Sequence, residues 1–91
     1  MGTITVQEKQ EVTVVVFSPR SPDPKTFTWR KTTKVGDAAR EAATAFGYEG
    51  GTPGLQTTDD PPRVLDNGKT LVAEHIVDGS ELEIVDTGGG V

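Results

Sequence analysis

The stretch LDNGKTL at residues 65–71 places an asparagine–glycine pair between two leucines. Asparagine and glycine are residue types that tight turns favour, so the stretch predicts a turn at residues 66–69. The flanking sequence extends the interpretation on both sides. RVL at residues 63–65 predicts a short strand, and TLVAEHI at residues 70–76 predicts one short helical turn that leads into a loop.

The sequence after this stretch predicts one more strand and then a glycine tail. Residues 78–79, an aspartate–glycine pair, predict a second tight turn, and LEIV at residues 82–85 predicts the last strand. The chain then reads TGGGV at residues 87–91. Glycine adds no side-chain contacts, so this tail is expected to be flexible. Two interpretations remain open: an idle end, or a backbone thin enough to thread a narrow channel.

The N-terminal half predicts two strands separated by a loop. VTVVVF at residues 12–17 is β-branched and aromatic and apolar on both faces, which predicts a central strand. SPRSPDPK at residues 18–25 carries three prolines and predicts a connecting loop, with a proline-rich ligand as the less favoured alternative. TFTWR at residues 26–30 alternates, with Phe27 and Trp29 on one face, and predicts a half-buried strand antiparallel to the first.

A single helix is predicted over residues 34–46. Thr33 is a plausible N-cap and Gly47 a plausible C-cap. The small residues of its apolar stripe predict close packing on a sheet. This stripe comprises Val35, Ala38, Ala39, Ala42 and Phe46.

The remaining polar segments carry no convincing catalytic or metal site. Residues 48–54 form a glycine-rich loop without the lysine of a phosphate-binding loop, and residues 55–58 predict a weak strand. The aspartates of DDPP at residues 59–62 could bind a cation, but a solvated turn is favoured. His75 is the only histidine and is read as an ordinary surface residue.

Composition narrows the classes of function. The chain has 91 residues, which predicts one small domain, and it has no cysteine, which excludes disulfides and thiol nucleophiles. A net charge of −5 argues against nucleic-acid partners, because the only basic cluster is short. Since no long apolar run is present, no membrane partner is expected. We expect a soluble, cytoplasmic monomer that is not an enzyme and binds no metal or cofactor.

Residues 65–71, together with Ile76, Leu82, Ile84 and Val85, resemble the C-terminal half of ubiquitin and its relatives. The family pattern is Leu-Glu-Asp-Gly-Arg-Thr-Leu, then an isoleucine, a strand reading Leu-x-Leu-Val and a tail that ends in glycines. The resemblance covers roughly residues 11–90.

The resemblance implies the α+β, β-grasp fold, with a mixed sheet of four to five strands packed on one main helix. The first and last strands are expected to lie side by side, because both are apolar on two faces. Residues 1–10 are mostly polar and predict a flexible arm, although Ile4 and Val6 alternate with threonines and could extend a strand. The expected organisation is therefore an arm at 1–10, a domain at 11–86 and a tail at 87–91.

The chain also departs from ubiquitin. Its third strand, at 55–58, is polar where ubiquitin has an apolar patch, so ubiquitin's own readers are not expected to bind. No leucine–arginine spacer precedes the glycines, a feature shared with the sulfur carriers of cofactor biosynthesis. The longer proline-rich segment and the alanine-rich helix favour a bacterial ubiquitin-like protein encoded beside ubiquitination-type enzymes.

As a family resemblance, this implies a protein modifier. In the family, an activating enzyme uses ATP to adenylate the carboxylate of a terminal glycine. Cysteines of that enzyme and of a conjugating enzyme then carry the modifier as a thioester, and an isopeptide bond forms with target protein lysines. Here the implied C-terminal diglycine is Gly89-Gly90, and a processing peptidase is expected to cleave after Gly90 and remove Val91. Thr87 and Gly88 are implied in recognition of the tail.

Two alternatives stay open. In one, the chain is a sulfur carrier whose terminal glycine becomes a thiocarboxylate. In the other, it is a non-covalent β-grasp interaction module whose glycines have no function.

Overall fold

Four strands and one helix make up the computed structural model, which describes residues 10–48 and 51–86. The predicted arm, apart from Gln10, and the predicted tail at 87–91 lie outside the described residues. In chain order the elements are β1 (Glu11–Ser18), β2 (Ser21–Arg30), α1 (Val35–Ala45), β3 (Pro53–Thr57) and β4 (Glu81–Asp86).

The strands form one mixed sheet in the order β2-β1-β4-β3. β1 pairs antiparallel with β2 and parallel with β4, and β3 pairs antiparallel with β4. The predicted adjacency of the first and last strands is therefore confirmed. Because β1 and β4 are parallel, the long connection between them has to cross one face of the sheet, and α1 covers that face.

β1 is central, as predicted, but only one of its faces is buried. Val14 and Val16 are fully buried under α1, whereas Val15 and Phe17 on the opposite face are half-buried. We call this opposite side the outer face of the sheet. The core is apolar and comprises Val12, Val14, Val16, Trp29, Val35, Ala38, Ala39, Ala42, Leu55, Leu65, Leu71, Ile76, Leu82 and Ile84.

The start of α1 corrects the predicted cap. The N-cap residue is Lys34 rather than Thr33, and it makes no side-chain capping hydrogen bond. The backbone N–H of Val35 donates to the Lys69 carbonyl at 2.8 Å, and that of Gly36 donates to the Asn67 carbonyl at 3.1 Å. Since the turn at residues 66–69 satisfies these free donors, a capping side chain is not needed.

The end of α1 confirms the role expected of its glycine. Phe46 is the C-cap residue, and Gly47 follows with φ of 84°. The Tyr48 N–H donates to the Ala43 carbonyl at 2.9 Å and the Gly47 N–H to the Thr44 carbonyl at 3.0 Å. This pair of bonds is the Schellman motif, in which the residue after the cap takes the left-handed conformation that glycine tolerates.

The predicted loop at 18–25 is wrong for most of its length. A tight turn joins β1 to β2, and β2 begins at Ser21, so Pro22 and Pro24 lie within a strand. β2 is at the edge of the sheet, where a strand can lack N–H donors on its free side. The pairing also shifts register between Val16 and Ser18, which accommodates the prolines.

Two further boundaries differ from the prediction. Residues 63–65 form only an isolated bridge, between Gln56 and Val64, rather than a strand. β3 begins at Pro53, inside the predicted glycine-rich loop, because its pairing with β4 continues to that residue. The turn at 66–69 and the short helical turn after it are present. Within the described ranges, no helix is long and apolar enough to cross a membrane.

Candidate functional site

The residues that the sequence implicates in function follow β4. Asp86 is the last residue of that strand and pairs with Pro53 at the start of β3. The structure therefore describes Asp86, the residue from which the tail begins, but not the predicted site residues themselves. We call the end of β4 and its pairing with β3 the base of the tail. The predicted site residues, Thr87, Gly88, Gly89, Gly90 and Val91, lie outside the described part of the chain.

The base of the tail is joined to the core through Asn67. The Asn67 amide donates from Nδ2 to the Pro53 carbonyl at 3.3 Å, while its backbone carbonyl accepts from α1. Gly54 lies opposite Val85, and a Cβ built there would be 3.6 Å from Asn67 Oδ1. One turn residue thus links the start of α1 to the strand pair from which the tail leaves.

Aromatic and basic side chains lie at the same end of the sheet. β4 is parallel to β1, so its C-terminal end lies beside the turn that joins β1 to β2. There the Ser18 hydroxyl and the Tyr48 hydroxyl are hydrogen-bonded at 2.8 Å. The Arg20 guanidinium lies 4.1 Å from the centre of the Tyr48 ring, and the Lys25 ammonium lies 5.6 Å from that of Phe46. This end consequently carries two cations that lie against aromatic rings.

The outer face of β3 is polar, as the sequence predicts. Gln56 is half-buried, and its Nε2 donates to Glu83 Oε1 on β4 at 2.9 Å. Leu55 points the other way and is fully buried in the core. The strand therefore presents a hydrogen-bonded polar pair to solvent.

The other polar residues considered in the sequence lie on the surface of the described structure. His75 is exposed and takes a left-handed backbone conformation, with φ of 65°. Asp59 and Asp60 are exposed, as expected of a solvated turn. Among the described residues, no cluster of histidine, aspartate or glutamate could hold a metal ion.

A buried carboxylate, Glu74, has no counterpart in the sequence-based prediction. Its Oε1 accepts from the Arg63 guanidinium at 2.5 Å, and its Oε2 accepts from the Asp66 backbone N–H at 3.1 Å. The hydrogen bond from Arg63 and then that from Asp66 hold the pKa of Glu74 below its usual value, against the opposing effect of burial. Glu74 thereby fixes the segment that precedes the turn at 66–69. Its partner is eleven residues away, so no local spacing pointed to it.

Solved structures provide the comparison for this architecture, since no protein-family model and no curated protein matches the chain. A Caldiarchaeum subterraneum ubiquitin has a TM-score of 0.71 at 17% identity, over 88% of this chain and 99% of that one. The N-terminal ubiquitin-like domain of the 4931431F19Rik protein has a TM-score of 0.70 at 17% identity, over 100% and 91% of the two chains. A ubiquitin-like domain from tubulin-binding cofactor B gives 0.68 at 16% identity, over 89% and 94%.

These similarities establish the fold class. The mixed four-stranded sheet on one helix is an α+β, ubiquitin-like β-grasp domain, as predicted. The identities are too low for the likeness to reach beyond the fold.

Proposed function

We propose that the chain is a protein modifier of the ubiquitin-like type, conjugated to target amines through the carboxylate of Gly90. The observation that carries the proposal is the position of the glycines. Only Thr87 separates them from Asp86, the last residue of β4 in a ubiquitin-like β-grasp domain. This arrangement favours a reactive terminus, because a thin segment follows directly from a strand whose last residues are paired with β3.

The chemistry needs the glycines and no other side chain of this protein. A carboxylate oxygen of Gly90 attacks the α-phosphorus of ATP in an activating enzyme, and pyrophosphate leaves. A cysteine thiolate of that enzyme displaces AMP and forms a thioester, which passes to a conjugating enzyme. A target lysine amine then attacks the carbonyl, the thiolate leaves, and an isopeptide bond remains. Without a Cβ, the carbonyl stays open to each attack.

Val91 has to be removed before these steps, because it masks the Gly90 carboxylate. We assign this step to a processing peptidase that cleaves after Gly90. Gly89 and Gly88 then lie within the enzyme channel, and Thr87 lies at its mouth. The modifier works as a cytoplasmic monomer in a bacterial ubiquitination-like pathway.

The described residues support this proposal at the base of the tail. The pairing of Asp86 with Pro53 and the hydrogen bond from Asn67 to Pro53 hold the last strand in register. Arg20 and Lys25 supply cations at the same end of the sheet, where an enzyme that grips the tail would contact the domain. A rigid base lowers the entropy lost when the tail enters a channel.

The test uses the chain ending at Gly90, incubated with ATP and an extract of the cells from which it comes. We expect covalent products that are heavier by one modifier, resist thiol reductants and carry Gly90 on a lysine by mass spectrometry. A Gly90→Ala variant should give about tenfold less product, because the added methyl group hinders the carbonyl and the channel. Equal yields from both chains, or yields that do not need ATP, would refute the proposal.

A sulfur carrier is the second candidate, favoured by the single residue between β4 and the glycines. In that case the adenylated Gly90 would accept sulfur and become a thiocarboxylate. Mass spectrometry of protein isolated from cells separates the two, because replacement of oxygen by sulfur raises the mass of the free chain. If deletion of residues 87–91 leaves the biological activity unchanged, the chain is instead a non-covalent β-grasp interaction module.

A further inference from the structure

The outer face of the sheet carries an apolar cleft with an acidic rim. Its volume is about 400 Å³, and Thr57 and Thr58 contribute to its lining. We call it the acidic cleft and define it by its other lining residues. These are Phe17, Gln56, Asp59, Pro62, Glu81 and Glu83.

Strand pairing explains how these side chains come together. Phe17 on β1 pairs with Glu83 on β4, and Glu83 pairs with Gln56 on β3. Gln56 in turn pairs with Val64, whose side chain is 57% exposed. The backbone bonds on either side make Gln56 and Val64 a non-hydrogen-bonded antiparallel pair, whose side chains lie close together on one face. A single row across the sheet thus runs from an aromatic side chain, through a polar pair, to an exposed valine.

The charged residues that line the acidic cleft are all carboxylates. Asp59 and Glu81 are exposed, and Glu83 is half-buried with Oε1 bonded to Gln56. None of the residues that line the acidic cleft is basic. Arg63 lines a neighbouring pocket together with Asp59 and Glu81, but its guanidinium is paired with the Glu74 carboxylate. The cleft therefore keeps a local negative potential that a cationic partner would neutralise.

We propose that the acidic cleft is a docking site for a protein segment that carries an arginine or lysine next to an apolar side chain. The aliphatic stem of such a residue would lie along Phe17 and Pro62, and its charged end would reach Glu81 and Glu83. The adjacent apolar side chain would contact Val64. Such a segment would contact both the carboxylates and the apolar side chains of this surface, whereas a purely cationic or purely apolar partner would contact only one of these groups.

This docking is independent of conjugation, because the cleft lies wholly within residues 17–83. Its test therefore uses the chain truncated after Asp86, so that failure of the proposed modifier function would leave the result unaffected. The probe is a capped peptide of alternating leucine and arginine, followed by backbone amide NMR. Peptides of leucine with glutamate and of serine with arginine serve as the charge and apolar controls.

We expect the leucine–arginine peptide to shift the amide resonances of Phe17, Gln56 and Glu83. The serine–arginine peptide should bind about fivefold more weakly, and the leucine–glutamate peptide should leave these resonances unchanged. The double variant Glu81→Gln, Glu83→Gln should weaken binding about fivefold. Glutamine at position 83 still accepts the bond from Gln56, so the variant removes charge and retains the geometry.

Glu11→Gln is the matched control, because Glu11 is an exposed carboxylate at the far end of β1. If Glu11→Gln weakens binding as much as the double variant does, the net charge of the protein attracts the peptide, and the proposed docking site is refuted. Equal binding of the leucine–glutamate peptide would also refute it. Shifts at Phe17 and Gln56 that depend on protein concentration without peptide would assign the face to a second copy of the chain instead.

Discussion

At the scale of single residues, Glu74 is a charged group whose ionisation contributes to stability. Its carboxylate is buried, and it accepts hydrogen bonds from Arg63 and from the Asp66 backbone. These bonds lower its pKa from an ordinary value of 4.5. The folded chain therefore binds this proton less tightly than the unfolded chain. The resulting stability is fully present above pH 4.5 and is lost as the pH falls through the lower folded-state pKa.

Glu74→Gln should lower the free energy of unfolding at neutral pH by about 1–3 kcal/mol, because a charged acceptor is lost from a buried site. The half-exposed guanidinium of Arg63 retains access to water, which limits the loss. Urea unfolding across a pH series measures the effect. The difference between variant and parent should narrow well below pH 4.5. Glu41→Gln, at an exposed position on α1, is the control, and a difference that does not vary with pH would contradict the assignment.

Gly47 is a residue whose role follows from backbone geometry alone. Its φ is 84°, and a Cβ added there would meet nothing within 4 Å. Gly47→Ala should therefore cost about 1 kcal/mol of stability through backbone conformation and not through a clash. Gly47→Asn should cost less, because asparagine tolerates the left-handed region. Thermal unfolding of the two variants measures these losses, and a larger loss for Gly47→Asn than for Gly47→Ala would show that space rather than conformation sets the cost.

Single residues were predictable where local chemistry determines them. Gly47 followed from its position after a periodic helix, and the polar character of the strand at 55–58 followed from its residue types. The role of Glu74 was not predictable, because its partner Arg63 is brought near only by folding, and the two residues share no periodicity. The same holds for Asn67, whose backbone and side chain join α1 to β3.

At the scale of elements, long-range contacts determine features of the helix and the strands that no local sequence pattern predicts. α1 has no side-chain N-cap, because carbonyls from the turn at 66–69 accept its first N–H groups. β2 forms through its prolines, because it is an edge strand and needs bonds to β1 alone. Propensity predicts strands from their own residues, whereas position in the sheet decided this one.

The prolines of β2 also predict how the edge behaves. Pro22 and Pro24 remove two N–H donors from an edge strand, which discourages pairing with another chain. The double variant Pro22→Thr, Pro24→Thr should tighten self-association roughly tenfold, at about 0.5–1.5 kcal/mol for each restored donor. Sedimentation equilibrium measures this change. Pro19→Thr in the turn is the matched control, and an unchanged molecular weight for the double variant would show that the edge is protected in another way.

At the scale of the whole molecule, the fold was more predictable than the candidate site. The apolar run of β1, the alanine stripe of α1 and the turn chemistry of residues 66–69 all point to the same arrangement. Such agreement between levels is what allows a fold to be derived from one sequence. No such agreement supports the function proposed for the glycine segment, since glycine has no side chain whose apolar or polar pattern could be read. Its interpretation comes from the domain that precedes it.

Folding and conjugation should therefore separate at Asp86. The described core runs from Val12 to Ile84, so a chain ending at Asp86 should unfold within about 2 °C of the parent, as measured by circular dichroism. The same chain should form no conjugate. A chain ending at Glu83 is the matched control: it lacks the buried side chain of Ile84 and should lose about 2–5 kcal/mol. A comparable loss in the longer chain would mean that the glycine segment stabilises the domain, and its role would then have to be sought in the fold as well as in chemistry.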